Sequence, residues 1–278
     1  MRPIRNCKRG VLNTGKSQCP LDLAHIIGAM VVEAGYEFPE TPTASSLKEA
    51  CHADRPDRIM PIVTFVEYAK EGGEASVSAV GYGGNQVTGI SPRTDTFTLA
   101  QHDPALAASL SKAMNLPFEV FYFDENNVVY GRRVGDALRG FPITTLYPTV
   151  TPHPTSSNPA TLTVSFAFKN SRDAIEDFDY VELDFNLEDN LVILTEVELV
   201  STGTNKYKIV EKVGGYDLTA QYGETIATEA SSVFNGVSAA TYDSDANELT
   251  VTLATGATAP TLKSPSALYT AGIYGISA

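Results

Sequence analysis

The chain has 278 residues, 43% apolar and 19% charged, with a formal net charge of −13, a composition with room for one or two packed cores that excludes a disordered chain. No stretch approaches 18 consecutive apolar residues, so no helical membrane span is expected. The acid is uneven: residues 1–150 hold 14 basic and 16 acidic side chains, residues 151–278 hold 6 and 17, a balance that disfavours a lasting grip on nucleic-acid phosphates.

The N-terminus is basic at Arg2, Arg5, Lys8 and Arg9, but no apolar signal-peptide core follows before Pro20, and no export signal is expected. Residues 10–17, GVLNTGKS, match the phosphate-loop pattern G-x-x-x-x-G-K-[ST], with Gly10, Gly15, Lys16 and Ser17 at the defining positions. A working loop needs a buried strand before it and a helix starting at its Gly-Lys pair. Upstream stands the charged MRPIRNCKR, and Pro20 falls inside the first turns of any helix that follows. The match therefore reads as coincidence, and no nucleotide or other cofactor is expected. Cys7, Cys19 and Cys51, with His52, offer the arithmetic of a metal site. Without a C-x-x-C pair they read instead as reduced, small buried thiols, and no metal is expected.

Prolines at 3, 20, 39, 42 and 56 interrupt residues 1–60, which are expected to form an extended arm; only residues 21–34 suit a short helix or strand. TASSLKEACHA at 43–53 suits a brief helix capped by Ser45 or Ser46 and followed by Glu49. Strands begin at 61 with PIVTFVEYA, EASVSAVGYGG and DTFTLAQ. Asp103 then caps a helix over about 103–115, with Pro104 at its first position. FEVFYFDENNVVYG reads as a hairpin turning at Asp124–Asn127; Asp124 and Glu125 would otherwise mimic the magnesium acid of a nucleotide-binding fold. The proline-rich residues 147–160 read as a linker or crossing segment. Residues 161–278 are again rich in strands, with a hairpin near Thr202–Asn205 and a short helix at Ser264–Pro265.

His25, His52, His102 and His153 lie in unrelated contexts, and neither a serine-hydrolase elbow nor an H-E-x-x-H helix is present. The acidic run at 173–190 lacks the glycine of a calcium loop. Its strict alternation from 181 to 188 fits a half-exposed strand with an acidic outer face. No catalytic residue is expected.

These segments together predict a mainly β protein. It would be an antiparallel sandwich or barrel with one short helix, an extended N-terminal arm and a second β-rich half or Ig-like domain. PIVTFVEYA, the strand–helix–hairpin run TDTFTLAQHDPALAASLSKAMNLPFEVFYFDENNVVYG and the closing SPSALYTAGIYGISA carry a resemblance. In arrangement, residues 61–146 resemble tail-tube and related ring-forming virion proteins of tailed bacteriophages. The resemblance implies a non-enzymatic virion component that self-assembles into rings, as homohexamers, beside other virion proteins. DNA would pass transiently and non-specifically through the channel, without a membrane partner. A capsid or decoration protein, or a glycan-binding adhesin, is the alternative.

Overall fold

The computed structural model of the protein describes residues 23–150 and 153–278. Through residue 182 the elements are, in order, β1 (Ile26–Glu33), β2 (Glu37–Phe38), α1 (Ala44–His52), β3 (Met60–Val63), β4 (Phe65–Glu71), β5 (Ala75–Ala79), β6 (Asn85–Ile90) and β7 (Thr94–Leu99). Then come α2 (Pro104–Lys112), β8 (Phe118–Asp124), β9 (Val128–Val134), β10 (Ala137–Arg139), β11 (Phe141–Pro148), β12 (Leu162–Phe168), α3 (Asp173–Glu176) and β13 (Phe178–Glu182). One large sheet runs β2-β10-β9-β8-β11-β12-β7-β4, with β1, β3 and β13 attached at its side, and curls into a half-barrel.

β8 lies at its centre, and all of FEVFYFD is buried. Successive side chains of a strand point to opposite faces. Val120 and Tyr122 thus enter one core with Phe97, Phe141 and Phe166. Phe121 and Phe123 enter another with Met30, Val32, Leu47 and Cys51, beneath α1. Burial on both faces removes any reason for polar alternation, so the strand reads as a continuous apolar run. β1 pairs with β8 along its length and with β3 on its other side. Gly28 is needed there, because a Cβ would lie 2.3 Å from the Phe123 ring.

Three expectations are corrected here. Residues 26–60 are not an arm, because β1 and α1 bury Ala29, Met30, Val32, Leu47 and Cys51 in the core; Pro39, Pro42 and Pro56 interrupt the connections and leave the strand intact. Residues 147–160 do not separate domains. β11 and β12 are hydrogen-bonded neighbours, so this segment joins two adjacent strands of one sheet. The helices expected at 43–53, about 103–115 and Ser264–Pro265 are joined by three more, so that one short helix in a β body becomes six among the described residues.

The first body therefore extends through β13, and a second begins near residue 195. Its elements are β14 (Thr195–Gly203), β15 (Lys206–Glu211), α4 (Thr219–Thr228), α5 (Ala230–Val233), β16 (Phe234–Asn235), β17 (Val237–Asp243), β18 (Glu248–Leu253), β19 (Thr261–Leu262), α6 (Pro265–Thr270) and β20 (Ile276–Ser277). A five-stranded sheet, β17-β18-β15-β14-β20, shares a core with the helices through Val197, Ile209, Leu249, Ile226, Val233 and Leu268. Helices cover this sheet where an Ig-like domain would place a second sheet.

The two bodies meet at α1. His52 is 1% exposed; its Nδ1 lies 2.7 Å from the Lys48 carbonyl oxygen and its Nε2 accepts from the Gly275 amide at 3.0 Å. Tyr269 stacks on the ring at 4.6 Å, and the Ser266 hydroxyl donates to Asp54 at 2.6 Å.

Candidate functional site

The residues singled out for chemistry are dispersed or already occupied. Gly10, Gly15, Lys16 and Ser17 lie outside the described residues, as do Cys7 and Cys19. Asp124, the acid that mimicked a magnesium ligand, closes the β8–β9 turn. Its Oδ1 accepts from the Asn126 amide at 2.9 Å and the Val128 amide at 3.0 Å, and its Oδ2 from the Tyr130 hydroxyl. Burial, then the bond to Asp124, pushes the Tyr130 hydroxyl well above its ordinary range. Cys51 is buried, and desolvation raises its thiol to about 11. His25 faces Glu125 at 3.3 Å on the surface, and His153 is exposed. Along 181–188, Val181, Leu183 and Phe185 are partly covered and Leu187 is buried, while Glu182, Asp184 and Asn186 are exposed. The acidic outer face is therefore real, though only its first two residues remain strand.

Among the described residues, two clefts stand out on the surface. One, about 300 Å³, is lined by Arg133, Asp136, Glu176, Asp177 and Phe178, and Arg133 is already paired with Asp179 and the Asp136 carbonyl oxygen. The other, about 250 Å³, lies beside His52, Asp54 and Tyr269, where both imidazole nitrogens are engaged. Neither presents a free nucleophile beside a free base.

The feature that stands apart is the excursion between Phe65 and Leu99. β4 and β7 form its base, paired from Phe65↔Leu99 to Glu71↔Thr94. That base is fastened to the core, because Phe65 stacks on Phe97 at 4.4 Å and Tyr68 on Phe97 at 5.0 Å. Arg93 grips the buried Asp95 with two bonds of 2.8 and 2.6 Å, and Tyr68 donates to the same carboxylate at 3.2 Å. Above the base the ribbon narrows to a waist. The Gly73 amide donates to Ser91 and the Ser91 amide to Glu74. At Gly72 (φ +71°) a Cβ would sit 1.8 Å from the Pro92 carbonyl oxygen, so only glycine fits.

Beyond the waist, β5 and β6 pair only with each other, from Ala75↔Ile90 to Ala79↔Asn85. All of β5 and the first four residues of β6 are exposed. Val77, Val80 and Val87 are at least half exposed, and Tyr82 stands fully exposed in the Gly81–Gly84 tip. Residues 75–92 contain no charged side chain. An isolated two-stranded ribbon is marginal in water, and exposed apolar patches mark contact sites. The sequence reads β5 as a strand and leaves β6 unread; the ribbon's lack of cover is a tertiary property that alternation does not encode.

Searches against protein-family models and against curated proteins return no match for this chain.

Proposed function

We propose that the protein is a structural, non-enzymatic virion subunit of a tailed bacteriophage, assembling with copies of itself into rings or a tail tube through which DNA passes. One observation carries this reading: a base of stacked aromatics and a buried ion pair holds out an uncharged ribbon, with Val77, Tyr82 and Val87 exposed, that has no strand partner among the described residues. Such an arm suits a subunit that is completed by its neighbours.

Charge supports the same reading. Residues 173–189 hold eight acidic side chains and no basic one; Glu176, Asp177, Glu182, Asp184 and Asp189 are exposed. An acidic channel wall repels phosphates, so DNA slides without being bound. The test is negative-stain electron microscopy of the purified chain together with sedimentation velocity. Rings or tubes are expected. A chain that stays monomeric at micromolar concentration, and instead binds glycans on an array, overturns the proposal in favour of an adhesin.

A further inference from the structure

We infer that the ribbon of one copy adds, through the outer edge of β5, to the free edge of β17 in a second copy of this chain. The inference rests on the assembly proposed above and names the two surfaces that meet. Sheet edges invite strand addition, and proteins blunt them with charge, proline or brevity. Most edges described here are blunted in one of these ways. β4 carries Glu67, Lys70 and Glu71; β3 contains Pro61; β13 carries Asp179 and Glu182; β2 and β20 are two residues long.

Two edges lack this protection. One is the ribbon, where β5 is exposed throughout while Gly89 and Ile90 of β6 are partly covered. The other is β17, the terminal strand of its sheet, paired only with β18. Its run VSAATY has no charge before Asp243. Val237 and Ala240 are buried and Tyr242 is half-buried against the core, while Ser238, Ala239 and Thr241 are exposed. A bulge at Ser238 interrupts the first part of β17, so its regular stretch is Ala239–Asp243, five residues against the five of β5.

Charge selects the partner. A nucleic acid or an anionic membrane would call for lysine and arginine, and residues 75–92 have none. Two copies that each carry −13 repel unless they meet through segments of little charge; β5 has none, and β17 has only Asp243 at its end. Because the arm and the acceptor are different surfaces of the chain, the contact is head-to-tail, the kind that closes into rings or extends into filaments.

Two variants test this. In the first, Ala75–Ile90 is replaced by an Asn-Gly turn. In the second, Ser238→Lys and Thr241→Lys place charge on the β17 edge. Each is expected to sediment as a monomer with the circular dichroism and melting temperature of a folded chain. Mixed in equal amounts, they should form a heterodimer and nothing larger, since one intact arm then meets one intact edge. If the shortened chain fails to fold, Ser78→Lys with Val87→Lys replaces it as the arm-blocked partner. A variant that assembles as the parent does, or a mixture that stays monomeric, overturns the β5–β17 pairing while the parent's rings leave assembly standing. A monomeric parent removes assembly itself and this inference with it.

Discussion

Asp124 shows how one residue can belong to two different folds on paper. Four apolar residues followed by two acids suggest a magnesium site, yet Asn126 and Asn127 make the same letters a turn, and Asn127 adopts φ +60° there. In the folded chain the Asp124 carboxylate serves two amides and a tyrosine hydroxyl. Removing it leaves the buried Val128 amide and Tyr130 hydroxyl without an acceptor, at about 1–3 kcal/mol for each such group. Asp124→Ala is expected to lose roughly 2–4 kcal/mol in urea unfolding, and Asp124→Asn, which keeps one acceptor, about half as much. Cys51 was legible as a buried thiol, and its burial has a pH signature. Its thiol rises from 9.0 to about 11, and desolvation first, with Cys51 nearby, carries the neighbouring Tyr36 to about 12. Folding therefore favours the protonated forms. Their stabilisation is complete below about pH 9 and is lost as the pH climbs through 11. Urea midpoints should hold level up to pH 9 and then fall, with a shallower fall in Cys51→Ala.

At the scale of elements, those with local punctuation were readable. The α2 helix starts where Asp103 and Pro104 place it, with the Asp103 carboxylate accepting from the Ala105 and Leu106 amides. Its end came earlier than expected, at Lys112. The α6 helix follows Ser264–Pro265 and the β14–β15 turn falls at Asn205, also at positive φ. For α1 the helix was right and the cap was not. Thr43 is the cap, and Ser46 completes the reciprocal box. β1 stayed ambiguous because IIGAMVV is apolar on every face, and period cannot separate a doubly buried strand from a buried helix. The α4 helix was missed: TAQYGETIAT has weak helix formers, no side-chain cap and a central Gly223. That glycine is a packing requirement. A Cβ would lie 2.4 Å from the Tyr242 ring of β17, and its clash of about 1–3 kcal/mol outweighs the gain of about 1 kcal/mol from a better helix former. Gly223→Ala should thus destabilise by roughly 1–2 kcal/mol, and a double-mutant cycle with Tyr242→Ala should return most of that loss as coupling.

For the whole molecule, the mainly antiparallel β class was legible, because alternation and turn residues are written locally. The partition was not. The proline-rich residues 147–160 looked like a boundary although they join two paired strands of one sheet, and the true division near residue 195 carries no break in composition. Contacts such as His52 with Gly275 join residues 223 positions apart, beyond the reach of any local pattern. The ribbon belongs to this scale as well, since its meaning comes from what fails to cover it. In the assembly proposed above, its neutrality dictates how ionic strength acts. Assemblies stitched by ion pairs loosen as salt is added. Here the junction has no such pairs to lose, while screening relieves the mutual repulsion of strongly acidic subunits. Light scattering should therefore find association strengthened between low and high sodium chloride. Dissociation by salt would mean that subunits meet through opposed charges elsewhere on their surface.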